Sequence, residues 1–238
     1  GREAGMIRLK IAFALRLVDD FSGQCIRGRK FLFFSGGRVV HPVEKDEGLY
    51  IFLEPQEKKS RIRIEGGGYH SCNVMIESEL LDPEEPVADV RMYECPGGEY
   101  SRSRGWLTGI ISEPAAFPAE VYAEKNSPTG LAFREYRNIE GEHWVWFQGF
   151  TREKLTGKVF SLNSKGEDAL FVLGEKRGIN EYRIEPIVRL PDEVSPGTPL
   201  IRVYRSVTDR NGAYSIPVDA GEENIIGEVR ILQHILPS

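Results

Sequence analysis

The chain is 238 residues long but has only three cysteines, three methionines and four histidines. Three cysteines at irregular spacing, Cys25, Cys72 and Cys95, do not make a disulfide framework, and no CxxC pair opens a zinc module. Sequence leaves open whether Cys25 and Cys72 pair or stay as buried thiols. His41, His70, His143 and His234 are scattered, so neither HxH nor HExxH occurs and no metal is expected. No G-x-S-x-G is present, which excludes the nucleophile elbow of an α/β-hydrolase. No apolar run approaches the ~20 residues of a membrane span. Positive charge is not in excess: 31 Lys and Arg face 36 Asp and Glu, for a net charge of −5. Such a balance argues against a general nucleic-acid-binding surface. Alanine-rich amphipathic stretches of helical length are also missing. The opening Gly-Arg-Glu-Ala-Gly lacks the apolar core of a signal peptide, and the first Met is residue 6. The expected compartment is the cytoplasm, or the exterior if a signal peptide has been removed.

What the chain does have is turns and alternation. Its 25 glycines and 14 prolines separate short apolar runs of period two, the signature of half-buried strands. Met6 to Val18 places Ile7, Leu9, Ile11, Phe13, Leu15 and Leu17 on one face. Strands are expected again at Lys30–Phe34, Arg38–Val40, Leu49–Leu53, Arg61–Glu65 and Asn73–Glu77. Leu81-Asp-Pro-Glu-Glu-Pro86 reads as a linker. Beyond it, strands are expected at Val87–Tyr93, Gly105–Ile111, Ala119–Ala123, His143–Phe150, Lys158–Leu162, Ala169–Leu173, Glu181–Leu190, Leu200–Thr208 and Ile225–Ile235. Arg210-Asn211-Gly212 is expected to close a hairpin through a type I′ turn, because Asn and Gly tolerate positive φ. The fold class is therefore all-β, a tandem β-sandwich. Its first domain spans residues 6–80. Its second, β-rich domain spans 87–236, either a larger sandwich of its own or one with a small β-domain inserted.

The order Asp19-Asp20-x-x-Gly23, Gly48-Leu49-Tyr50 and Gly68-Tyr69 resembles the carboxypeptidase regulatory-like family, a prealbumin-like (transthyretin-like) sandwich of about seven strands. The resemblance covers residues 7–78. In the second half, Leu107–Ile111 with Pro118–Val121 resembles the family's opening strands, and Thr208–Tyr214 its closing turn. About eighty residues lie between those pieces. The resemblance implies a fold and no catalysis, since in metallocarboxypeptidases this sandwich is an accessory domain.

Candidate chemistry is sparse. His70 and Cys72 would share one strand face and form the best nucleophile pair, but no acid orients the imidazole and no oxyanion hole can be assigned. Gly66-Gly67-Gly68 lacks the Lys-Ser/Thr and helix of a phosphate loop and reads as a turn. The pairs Asp19-Asp20, Glu84-Glu85 and Glu222-Glu223 fall in turns. Arg61 and Arg63 alternate with Ile62 and Ile64, the pattern of a solvated strand face. The basic cluster Arg27, Arg29 and Lys30 carries no motif. The remaining candidates are aromatic: Trp144, Trp146, Phe147 and Phe150. Trp144 and Trp146 would share one face, with Val145 and Phe147 on the other. That stretch serves the core, a protein interface or a carbohydrate platform. No catalytic residue and no cofactor is expected. The expected function is a non-enzymatic structural or adaptor module that binds a protein partner or itself. A carbohydrate-binding module is the alternative, and a hydrolase with a dispersed site the third reading.

Overall fold

A computed structural model describes residues 10–45, 48–53, 58–97, 103–112, 118–164 and 167–232. It is all-β, with several sheets and three single-turn 3-10 segments. Two units emerge: Gly1–Asp19 with Gln24–Met92, and Asp20–Gly23 with Tyr93–Ser238.

In unit 1, β1 (Ile11–Asp19), β4 (Val43–Lys45), β5 (Leu49–Leu53) and β8 (Val87–Met92) form one sheet in the order β4-β5-β1-β8. β2 (Phe31–Ser35), β3 (Arg38–Val40), β6 (Lys59–Gly66) and β7 (Tyr69–Glu77) form another, in the order β3-β2-β6-β7. Residues from both sheets meet in one core: Phe13, Leu15 and Leu17 of β1 and Phe52 of β5 with Phe33, Ile62, Ile64 and Ile76. Phe13 stacks on Phe52 with ring centroids 4.8 Å apart. Burying one such side chain stabilises by roughly 1.5–3 kcal/mol. Arg61 and Arg63 point outward while Ile62 and Ile64 are fully buried, so the alternation reports the pleat. The early residues Ile7 and Leu9 lie outside the described residues.

The acidic, proline-containing stretch 81–86 does not divide the units. The strand that follows it, β8, runs parallel to β1 from Ala14↔Val87 to Asp19↔Met92. Val90 and Met92 enter the core of unit 1. The expected boundary at residue 87 is corrected to one after Met92: composition marked a turn, whereas Val90 and Met92 carry the apolar alternation that decides sheet membership.

Unit 2 contains β9 (Arg104–Ile110), β10 (Glu120–Ile139), β11 (Glu142–Gly149), β12 (Val159–Ser164), β13 (Glu167–Gly178), β14 (Glu181–Pro186), β15 (Pro199–Val207), β16 (Ala213–Asp219) and β17 (Arg230–Ile231). The order β11-β14-β13-β12-β15-β10, with β10 also paired to β11, closes into a six-stranded antiparallel barrel. Its interior takes side chains from all six strands, among them Phe133, Val145, Phe160, Phe171, Ile184 and Leu200. Leu155, from the connection between β11 and β12, is 2% exposed and joins that interior. The residues between the two family-like pieces are thus mostly barrel strands. β10 continues beyond the barrel: its first residues, with β15 and β17, face the two-stranded sheet β16-β9 across Val121, Ala123, Tyr204, Ile216 and Val218.

The expected hairpin is also corrected. β15 pairs with β10 and β12, whereas β16 pairs with β9, so the turn carries the chain from one sheet to another. Asp209 organises this turn. Its Oδ1 accepts from Asn211 N and Ala213 N at 2.8 and 2.9 Å, and its carbonyl accepts from Gly212 N at 3.2 Å. Gly212 alone has positive φ there, at 82°, so the turn is not type I′.

Candidate functional site

The aromatic stretch becomes β11, and the barrel sorts its side chains by parity. Val145 and Phe147 point into the interior, at 0% and 4% exposed. Trp144 and Trp146 lie on the outer wall. Each carries a guanidinium over its ring, Arg177 at 5.2 Å from the Trp144 centroid and Arg137 at 5.5 Å from that of Trp146. Glu142 accepts from Trp144 Nε1 at 3.2 Å. Trp144 ends 4% exposed, whereas Trp146 is half-buried. Phe147, held inside the barrel, offers nothing to an outside ligand.

Phe150 behaves differently. It follows β11 and is 73% exposed, and Ile179, at the β13–β14 turn, is 93% exposed. The ladder places both at one end of the barrel, because Trp146 pairs with Glu181 and Phe147 N donates to Asn180 O at 2.9 Å. Asn180 Nδ2 also donates to Gly149 O at 3.0 Å. Phe150 N donates to Gly130 O at 3.2 Å, and a Cβ on Gly130 would overlap the Phe150 carbonyl. Trp146, Phe150 and Ile179 therefore share a rigid rim. Ile179 carried no signal in the sequence, since one Ile before Asn180 reads as an ordinary turn residue.

A polar network lies elsewhere in unit 2. Arg230 contacts Asp168 at 2.7 Å and Glu124 at 2.9 Å, with its guanidinium 4.7 Å from the Tyr122 ring centroid. Tyr122 OH donates to Asp168 at 3.0 Å, Asn163 Nδ2 to the same carboxylate at 2.5 Å, and Ser161 Oγ to Glu124. Burial first, then the Asp168 carboxylate, pushes Tyr122 up to about 12. No periodicity could find this network, because β10, β12, β13 and β17 bring together residues far apart in the chain.

Buried charges are matched. Arg205 binds Asp20 through two nitrogens, both residues being about 5% exposed or less. Arg202 donates to Phe21 O at 2.6 Å and to Val159 O at 2.8 Å. The Asp20-x-x-Gly23 turn thus serves to bury charge within unit 2. Thr208 Oγ1 accepts from Ala119 N at 2.9 Å, so the two family-like pieces of the second half do meet.

His70 and Cys72 share the core-facing side of β7. Cys72 packs against the apolar cluster, and burial lowers the His70 pKa. His70 Nε2 is buried with no hydrogen-bond partner among the described residues. Cys25, Cys72 and Cys95 are thiols, each partly buried. Among the described residues, no group of three or more His, Cys, Asp or Glu is placed to hold a metal, and no helix is long and apolar enough to cross a membrane. No family model, curated protein or solved structure matches this chain.

Proposed function

We propose that the protein is a non-enzymatic interaction module that binds a protein partner, or a second copy of itself, through the barrel rim formed by Trp146, Phe150 and Ile179. One observation carries this reading: two large apolar side chains, 73% and 93% exposed, sit at the same end of one barrel beside a half-buried Trp. Exposed apolar side chains held together on a rigid scaffold mark interaction surfaces. The wall beside them is rich in Trp and Arg, the residue types enriched at interface hot spots. A sugar platform has less support, because Arg137 and Arg177 occupy ring faces that a pyranose would need. The transthyretin-like assignment of unit 1 belongs to the same proposal, supported by its two facing sheets and one shared core.

A photo-crosslinking residue at position 150 tests the rim, with position 140 as control. A specific adduct at 150 that Ile179→Ser weakens is expected, either with a partner or between copies. Equal labelling from both positions, or no adduct from 150, would overturn it. Trp fluorescence against a sugar panel discriminates the alternative: saturable quenching abolished by Trp146→Ala would favour a carbohydrate.

A further inference from the structure

Among the described residues, β17 ends its sheet at the opposite edge of β10 from β15, and β9 ends the two-stranded sheet β16-β9. β17 pairs antiparallel with β10 through Val121↔Ile231 and Tyr122↔Arg230, and Leu232 N donates to Glu120 O at 2.8 Å. Bonded and non-bonded pairs alternate in such a ladder. Leu232/Glu120 and Arg230/Tyr122 are the bonded pairs, so the N–H and C=O of Ile231 and the C=O of Val229 turn to the outer edge. The same parity holds for β9. Ile111 N donates to Gly212 O at 3.0 Å and Ile110 pairs with Ala213, which turns the Ile110 N–H and C=O away from β16. Ile110, Val229 and Ile231 all line one cleft of about 570 Å³. Outward-directed peptide groups from two different strands therefore border one slot.

The lining gives the slot a sign. Tyr214, Glu228 and Arg230 also border it. Arg230 is already bracketed by Asp168 and Glu124. Neither of those two carboxylates lines the slot, and with Arg230 turned to them Glu228 is the lining charge that meets an incoming segment. Ile110 is 71% exposed and forms an apolar lip.

We infer that this slot binds an extended peptide segment of a partner protein by strand addition, taking a Lys or Arg side chain toward Glu228 and Tyr214. Main-chain hydrogen bonds to an open edge give such complexes their affinity, and alternate side-chain pockets give their specificity. The Glu228 carboxylate and the Tyr214 ring both complement a cation. The inference uses a different surface from the Trp146–Phe150–Ile179 rim, so either can fail while the other stands.

The test is amide hydrogen exchange on the whole protein. The probe is a synthetic nine-residue peptide alternating valine and lysine, compared with its valine–glutamate counterpart and with a version N-methylated along one backbone edge. The valine–lysine peptide should slow exchange at Ile110 and Ile231 by roughly tenfold or more. The glutamate and N-methylated peptides should not. Glu228→Gln should weaken binding by about fivefold, the scale of one exposed charge pair. Ile231→Pro should abolish binding while leaving the ladder to β10 intact, since that N–H faces outward. If this variant fails to fold, the N-methylated peptide still decides, because it leaves the protein unaltered. Equal binding of all three peptides, or no protection at these amides with saturating valine–lysine peptide, would overturn the inference. So would a concentration-dependent dimer whose contacts bury the same edge, because the occupant would then be a second copy.

Discussion

Tyr122 shows how one side chain can tie a site to stability. Its hydroxyl is pushed up to about 12, first by burial and then by the Asp168 carboxylate, with Arg230 opposing and Glu124 adding to the rise. A phenol whose folded pKa exceeds its unfolded value of ~10 binds its proton more tightly in the folded state. Its contribution is fully present below pH ~10 and is lost as pH rises from there to about 12. The wild type should therefore lose stability relative to Tyr122→Phe across that window, followed by urea denaturation at each pH. Phenolate absorbance should lose one late-titrating tyrosine in the variant, while Tyr50, also raised to about 12 by burial and by Glu44, remains. A Tyr122 step at its ordinary position would show that neither the burial of the ring nor the Asp168 contact holds in solution. At this scale the sequence was legible only where parity decides. The alternation that put Trp144 and Trp146 opposite Val145 and Phe147 holds, because a strand has no other way to display them. Partners of Arg230 were illegible, since ion pairs across four strands leave no local trace.

Strands were legible from period two, and their pairing was not. β10 shows why. Ala119–Ala123 announces a strand and Lys125-Asn-Ser-Pro128 announces its end, yet the strand runs for 20 residues. Its ladder with β15 shifts register between Glu124 and Pro128 and again between Pro128 and Ala132. Bulges of that kind absorb polar residues and a proline without ending the strand. They also let one strand serve two structures, the facing sheets through Val121 and Ala123 and the barrel through Leu131 and Phe133. The turn at residue 212 illustrates the same limit. Asn211-Gly212 fits a hairpin locally, but the two strands that flank it hydrogen-bond to different partners. Gly212 still needs its φ of 82°. Gly212→Val should destabilise by ~1–3 kcal/mol, the cost of holding a β-branched residue in that region. Hydrogen exchange should locate the loss in β9 and β16, with the amides of β1 and β5 unchanged. Uniform acceleration in both units would show that the strain is not confined to the turn.

For the molecule as a whole, the question is which residues melt together. Composition separates the halves at residues 81–86, but unit 1 keeps its polypeptide through Met92. The reason is physical. A parallel partner for β1 cannot come from a tight hairpin and must return from a distance. The 81–86 stretch provides that return, with Ala14 N donating to Pro86 O at 2.8 Å. β8 then supplies two side chains to the core, Val90 at 5% exposed and Met92 at 0%. Met92→Ala removes a fully buried side chain, and such truncations cost about 2–5 kcal/mol according to how far the site collapses. Because Met92 packs in the cluster of Phe13, Leu15 and Phe52, the loss should fall on unit 1. Native-state hydrogen exchange should show the slowest amides of β1, β5 and β6 accelerating together, while those of β12 and β13 in the barrel keep their rates. Trypsin, under conditions that leave the wild type intact, should cleave the variant first within unit 1. Acceleration confined to the barrel strands would instead put Met92 with the second unit and return the boundary to the linker that composition alone suggests.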